Sequence, residues 1–371
     1  MMPPVTWSAQ AEDVRARSGI LTTPHGTVQT PAFMPVGTRA SVRALDSADL
    51  RTVGAEMVLA NTYHLMLRPG SELIDRLGGL HAFMAWDGPI LTDSGGYQIF
   101  SLEPTVTEEG ATFRSTYDGS IHLLTPEGAT RVQELLGPDI AMVLDVLIGL
   151  PAPRAEVRSA MERTHRWAER AAAAHTRPDQ AQFGIIQGGT DPELRAESAR
   201  VIASIGFAGF GIGGLAVGET MDDRNIALDA VVPELPSRKA RYVMGLGDPE
   251  GVLSAVARGA DLFDCVWPTR LARHGRAITW SGDFNIRRLE FADDERGLDD
   301  RCGCATCTTY SRAYLRHLQV TGELSLHRLL SIHNLTMTQD LLAGARAAIA
   351  EQRFEAYRRE VITARSTPGR A

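Results

Sequence analysis

Short, uninterrupted apolar runs recur along the chain, each followed by a more polar stretch carrying helix signals. The runs cover residues 32–36, 57–61, 89–93, 140–145, 183–188, 209–214, 242–245 and 262–265, eight in all. Runs of this length, apolar at successive positions, predict strands buried on both faces, as in a parallel sheet. Between them, Thr125-Pro126-Glu127, Asp191-Pro192-Glu193 and Asp248-Pro249-Glu250 each combine a capping side chain, a proline for the first turn and an early acid. Residues 153–175, rich in Ala, Arg and Glu, predict a long amphipathic helix. No sequence repeat underlies the pattern. Eightfold strand–helix alternation predicts a (β/α)8 TIM barrel, whose usual length of about 250 residues fits the span 30–267. A doubly wound open sheet is the competing arrangement.

The remaining segments divide the chain further. Residues 1–29 are expected to be an N-terminal extension of strands capping the barrel. The barrel with its insertions then covers 30–290, a helical subdomain 291–365 and a flexible tail 366–371. Within these, 103–120 and 281–300 have the look of insertions with hairpin character, and 325–360 of a long helical region.

Composition narrows the class. The chain has 371 residues, of which 44% are hydrophobic and 22% charged, enough for a sizeable core in an ordinary globular protein. The first residues lack a basic start followed by an apolar stretch. The longest apolar run, near 140–150, is interrupted by Asp145 and Gly149, so no membrane segment is expected and a cytoplasmic location is. A formal charge of −7 weighs against a nucleic-acid binder, although local distribution matters more. Lys239 is the only lysine, so nearly all positive charge is arginine.

Cysteine usage points to a metal. Three of the four cysteines fall at Cys302, Cys304 and Cys307. Cysteines this close rarely pair with each other, and Zn²⁺ favours four thiolate or imidazole ligands in a tetrahedron. Candidates for the fourth are His317, His327 and His333. His333 follows the helical apolar pattern Leu329-Leu330-x-x-His333, which lets it face the loop. A Cys3His set closes the coordination sphere and implies one structural zinc per chain. Cys265, on the eighth run, is expected in the core.

If the barrel closes, residues ending the runs meet at its C-terminal mouth. Asn61, Asp93, Asp145, Gln187, Gly213, Gly214, Met244, Gly245 and Asp264 all occupy such positions. One polar strand end is ordinary; this many indicate a ligand site. Asp93 and Asp264 at one mouth would divide the labour of nucleophile and proton carrier, the arrangement that breaks glycosidic bonds with retention. Each aspartate taken alone is as readily a helix cap or a loop ion pair. Asp145 would accept the adjacent N1 and N2 donors of guanine, and Gln187 or the backbone of Gly213-Gly214-Leu215 would donate to O6. Tyr97 and Met244 would sandwich the flat base, which must leave its stack to be cut. Arg270, Arg273, His274 and Arg276, followed by Arg287 and Arg288, would grip phosphates beside the reacting ribose; a solvated basic loop is the plainer reading of that run.

Together these segments closely resemble the bacterial tRNA-guanine transglycosylases. The resemblance runs from about Gly19 to Ile349. It is carried by DSGGYQ at 93–98, FGIIQGG at 183–189, GGLAVGE at 213–219, YVMGLG at 242–247, FDCVWPTR at 263–270 and the cysteine loop with His333. It implies a TIM barrel with a zinc-bearing C-terminal subdomain, Asp264 as the nucleophile on ribose C1′ and Asp93 as general acid/base. It also implies base contacts from Ser94, Asp145, Gln187, Gly214 and Leu215, with stacking by Tyr97 and Met244. Glu219 would support the Leu215-Ala216 peptide as that peptide changes hydrogen-bonding direction, and Arg270 and Arg273 would read neighbouring bases. The implied substrate is guanine 34 of tRNA with a GUN anticodon, exchanged without ATP in queuosine biosynthesis, and the implied assembly is a homodimer through Tyr310, Tyr314 and His317. Leu147 departs from the pattern: bacterial members usually have cysteine there, and the stretch 146–151 is unlike theirs, whereas Val217 keeps it. The incoming base is therefore expected to be preQ1 (7-aminomethyl-7-deazaguanine), with queuine as the alternative. Competing readings are a DNA-directed 7-deazaguanine transglycosylase and a non-catalytic tRNA-binding subunit. A zinc-dependent barrel hydrolase would need histidines at the strand ends, and these runs end without them.

Overall fold

Eight parallel strands close on themselves in a computed structural model that describes residues 3–215 and 218–366. Before them, β1 (Thr6–Asp13), β2 (Ala16–Thr23) and β3 (Gly26–Thr30) form an antiparallel sheet. The barrel begins with β4 (Ala32–Gly37), β5 (Val58–Ala60) and β6 (Ile90–Thr92). A small antiparallel sheet of β7 (Thr105–Val106), β8 (Ala111–Arg114) and β9 (Ile121–Leu124) then intervenes. The barrel resumes with β10 (Ile140–Met142), β11 (Ala181–Ile186), β12 (Gly209–Ile212), β13 (Ala240–Val243) and β14 (Leu262–Cys265). Each strand pairs with its sequence neighbour, and β14 returns to β4 with Leu262 opposite Ala32 and Asp264 opposite Met34. The open-sheet alternative is excluded by that last pairing. All eight apolar runs are barrel strands because each is buried on both faces, by the barrel interior on one side and helices on the other.

The helices begin where the capping signals place them. Thr125 accepts from Gly128 N at the start of Pro126–Leu136, Asp191 from Glu193 N and Leu194 N at Pro192–Ile205, and Asp248 from Gly251 N at Pro249–Val256. Each such cap contributes about 1 kcal/mol. The long amphipathic helix spans Arg154–Ala174.

Two carboxylates at the lower end of the barrel anchor the N-terminal sheet. Asp261, just before β14, accepts from Arg17 Nε at 2.9 Å and from Arg241 N at 2.7 Å. Asp139, just before β10, accepts from Ile90 N at 2.8 Å and lies 2.8 Å from His25 Nδ1 and 3.2 Å from His81 Nε2. Both are buried, so their partners offset desolvation that would otherwise be costly.

Other segments differ in detail from the sequence reading. The insertion at 103–120 is one strand short of its sheet, which takes in β9 as well. In 281–300 the only strand among the described residues is β16 (Phe284–Asn285), and it pairs outside the segment with β15 (Arg276–Ala277). The helical region 325–360 is two helices, Ser325–Ala350 and Phe354–Ser366, separated where Gln352 takes φ +57°. Of the tail at 366–371, Ser366 ends the last helix and 367–371 lie outside the described residues. The main hydrophobic cluster runs from the barrel interior into Ser325–Ala350 through Ile332, Leu335 and Leu341. Among the described residues, no helix is long and apolar enough to cross a membrane.

Candidate active site

The C-terminal ends of the strands surround a cavity of about 320 Å³. Asn61, Asp93, Asp145, Gly213, Gly214, Met244, Gly245 and Asp264, all strand-end residues, line it together with Ser94, Tyr97, Leu147 and Arg270. Gln187 lies behind this surface, with its Nε2 2.6 Å from Asp145 Oδ2. Strand ends far apart in sequence converge there because barrel closure brings them to one rim.

Asp93 follows β6 and is held by its neighbours. Asn61 Nδ2 donates to Oδ2, while Thr62 N at 2.9 Å and Gly95 N at 3.1 Å donate to Oδ1. Burial pushes its carboxyl up to about 7; the Thr62 and Gly95 N–H groups pull it down, and the charges of Asp264 and Asp145 add to the rise. A carboxyl near neutrality is suited to exchanging protons.

Asp264, in β14, is fixed through one oxygen. Tyr242 OH donates to Oδ1 at 2.6 Å and Gly245 N at 2.8 Å. Burial raises its pKa, and these two donors oppose the rise. Oδ2 accepts no hydrogen bond from the described residues, so this oxygen is left open toward a ligand. Tyr242 was not among the expected site residues. The available signal was a lone hydroxyl in a wholly buried strand, which must find an acceptor.

The third carboxylate has polar neighbours. Asp145 accepts from Ser94 Oγ at 3.2 Å and from Gln187, and burial raises its pKa to about 6 against the pull of those two bonds. A Cβ on Gly96 would come 2.7 Å from Asp145 Oδ1, so glycine is required for this approach. Gly214 takes φ +65°, and its Cβ position would lie 2.5 Å from Gln187 Oε1. Met244 lines the cavity and Tyr97 is exposed at its mouth, 54% of its surface being accessible, which leaves its ring open to a ligand.

A second side chain overlooked in the sequence, Arg195, secures the adjacent loops. It is buried and donates to the carbonyls of Ile186, Gly189, Gly213 and Gly214 at 2.7–3.3 Å. Burial lowers its pKa to about 10, with Glu219 opposing. Its helical position looks like any surface arginine; only the packing of Pro192–Ile205 on the barrel turns it inward.

Other expected residues stand at varying distances from the cavity. Leu215 is buried and does not line it. Glu219 lies outside its wall, with its carboxylate 3.5 Å from Arg224. Ala216 and Val217 lie outside the described residues. Arg270 reaches the cavity from the helix Trp267–Arg273, where Arg273 also sits; His274 caps that helix and Arg276 is in β15, 4.0 Å from Asp283. Tyr310 and Tyr314 stack at 5.4 Å, and Tyr314 and His317 are exposed on the helix Arg312–Thr321.

The cysteine loop and His333 form one cluster. The donor atoms of Cys302, Cys304, Cys307 and His333 all lie within 4.8 Å of one another. His333 Nδ1 is 3.2 Å from Cys307 Sγ and 3.8 Å from Cys304 Sγ, while Nε2 is 2.9 Å from the Ile278 carbonyl. That carbonyl requires the proton on Nε2 and turns the Nδ1 lone pair to the sulfurs. Tetrahedral ligands with metal–sulfur bonds of about 2.3 Å lie at comparable separations. The four residues therefore fit a metal ion; His317 and His327 are not in the cluster.

Comparison with known proteins is consistent with this geometry. The family model described as queuine tRNA-ribosyltransferase matches residues 12–367. The queuine tRNA-ribosyltransferase of Desulforamulus reducens is 50% identical over 350 residues, 94% of this chain and 95% of that protein. That of Moorella thermoacetica is 51% identical over 358 residues, 95% of this chain and 96% of that protein.

Proposed function

Because this chain belongs to the queuine tRNA-ribosyltransferase family, we propose that it exchanges guanine 34 of tRNAs with a GUN anticodon for a 7-deazaguanine. The favoured incoming base is preQ1, with queuine as the alternative. The observation that carries this reading is the convergence of Asp264, Asp93 and Asp145 on one cavity, each in a different environment.

In the first half-reaction, Asp264 Oδ2 attacks ribose C1′. The C1′–N9 bond breaks and its electron pair leaves with guanine, which takes up a proton; an Asp264–ribosyl ester remains. In the second half-reaction the incoming base gives its N9 proton to Asp93 and attacks C1′, releasing the Asp264 carboxylate. The two displacements together retain configuration. Asp93, with a pKa near 7, is suited to both proton transfers. Tyr242 and Gly245 hold Asp264 so that one oxygen faces the sugar.

Asp145 accepts the N1 and N2 protons of the extruded base, and Gln187 turns from Asp145 to O6, aided by the backbone of Gly213, Gly214 and Leu215. Ser94 adds a further contact, and Tyr97 and Met244 cover the two faces of the base. Glu219 supports the Leu215-Ala216 peptide. Arg270 and Arg273 engage nucleotides beside the target, with His274 and Arg276 on the same flank. Cys302, Cys304, Cys307 and His333 hold one zinc ion, which cross-links the C-terminal segment and takes no part in the reaction. The domain division is 1–29, 30–290, 291–365 and a tail, and two copies associate in the cytoplasm through Tyr310, Tyr314 and His317.

Radiolabelled guanine offered with unmodified GUN-anticodon tRNA tests this reading. Label should enter position 34 and be chased by preQ1 or queuine, and Asp264→Asn should neither exchange base nor form an adduct stable on a denaturing gel. Failure of the wild-type protein to incorporate label, with metal bound, would favour the DNA-directed or non-catalytic alternatives.

A further inference from the structure

An unexpected group of charges sits beside the mouth, on the side reached through the loop after β4. Arg39 and Arg68 both lie over the ring of Tyr117, their guanidinium carbons 5.3 and 4.8 Å from its centre. Tyr117 comes from the turn between β8 and β9, so the insertion supplies the ring and the barrel loops supply the cations. Its hydroxyl lies 3.0 Å from His64 Nδ1, and Asn61, which touches Asp93, caps the short helix carrying His64. The group is thus one helical turn from the reacting carboxylates. Thr38, next to Arg39, lines the cavity itself.

These arginines differ from most others in the chain. Arginines elsewhere largely face carboxylates, as Arg154, Arg158, Arg166 and Arg170 do. Arg39 and Arg68 are exposed, and neither forms an ion pair with any described residue. The surroundings are cationic instead: burial and then the Arg39 charge lower the pKa of His64. Arg43, also unpaired among the described residues, continues the line toward Arg273, whose pKa is lowered by burial, Arg43 and Arg270. The overall charge of −7 conceals this arc, because it sums over the whole chain, whereas many of the other arginines are paired with carboxylates.

We propose that Arg39 and Arg68, set in place by the Tyr117 ring, form a seat for a backbone phosphodiester of the RNA substrate. The seat is separate from Arg270 and Arg273 and is joined to them along the rim by Arg43. This rests on the tRNA reading above and adds a phosphate grip to it. Stacking on the tyrosine pre-orders two flexible side chains, so less entropy is lost when they take up an anion. Guanidiniums presented in pairs without a carboxylate suit a phosphate oxygen better than a base edge. A second grip on the strand, besides Arg270 and Arg273, also helps hold the target nucleotide out of its stack.

The test uses the full chain and an anticodon stem-loop RNA, with single neutral methylphosphonate linkages placed in turn around the target guanine. Arg39→Gln and Arg68→Gln should each weaken RNA binding about two- to fivefold, the range for exposed ion pairs. The slope of log K against log salt should become shallower by roughly 0.7 for each phosphate that is no longer neutralised. Turnover at saturating RNA and KM for the free base should hold, and Arg39→Lys should recover part of the binding. One methylphosphonate position should weaken the wild-type protein but not the double variant. Wild-type exchange together with unchanged affinity and salt slope in the double variant would overturn the seat alone. Absence of exchange by the wild-type protein would overturn the tRNA reading and the seat with it.

Discussion

Tyr242 OH and Gly245 N share a single oxygen of Asp264, at 2.6 and 2.8 Å. The carboxylate is thereby pinned on one side, with its second oxygen left unbonded by the described residues. Both donors favour the ionised form against the burial that raises its pKa, and the proposed attack on C1′ needs that form. Tyr242→Phe should lower kcat by about tenfold or more, the worth of a hydrogen bond to a charged group. Losing a donor to the carboxylate raises its pKa further, so the acid limb of the kcat/KM profile should move to higher pH. A profile superimposable on the wild type would show that the hydroxyl does not act through Asp264.

Asp93 is expected to separate activity from stability. Asp93→Asn should reduce base exchange by about 10²- to 10⁴-fold, the usual worth of a proton carrier. The native carboxyl titrates near 7, well above its ordinary 3.8. The folded state therefore holds this proton longer than the unfolded chain, and the group lowers stability as pH rises from about 4 to about 7. The neutral variant escapes that loss. It should be more stable than wild type at pH 8, by on the order of a few kcal/mol reduced by the need for Asn61 to turn, and so melt higher there, but no higher at pH 3.5. Thermal melts at the two pH values decide; a gain of equal size at both would assign the effect to something other than titration.

Leu147 lines the cavity two residues after Asp145. Leu147→Cys removes bulk and adds a weakly polar sulfur, and should change the kcat/KM ratios among guanine, preQ1 and queuine by up to about tenfold, the scale of a small change in an apolar pocket. Ratios that stay constant would mean that Leu147 does not meet the C7 substituent.

The metal cluster predicts a structural phenotype. Cys304→Ser should lower bound zinc from one per chain to a trace by elemental analysis and cost on the order of 4 kcal/mol, as losses of structural metal do. Full zinc content in the variant would contradict a site that needs Cys304.

Much of this was legible in the chain because the signals are local. A strand buried on both faces must be apolar throughout, and a helix N-terminus needs an acceptor within three residues, so the eight runs and the caps at Thr125, Asp191 and Asp248 declare themselves. The aspartates stood out by ending such runs. Tyr242, Arg195 and the Arg39–Arg68–Tyr117 group did not, because each depends on which surface a neighbouring element presents. Tyr117 meets Arg39 only because β8 and β9 fold back over the rim. Arg195 reads as a solvent residue until its helix packs against β11 and β12.

The sequence by itself determined the kinds of groups present and their place within each element: carboxylates at strand ends, glycines where backbone must approach closely, three thiols on one loop. Tertiary structure decided which of them meet. Asp93 and Asp264 are brought to one cavity by the pairing of β14 with β4, and His333 reaches the thiols because its helix packs beneath Ile278. Residue type and short-range hydrogen bonding are properties of neighbouring positions. Convergence over long separations, and the pKa values it produces, come from burial and from charges that the chain order does not place side by side.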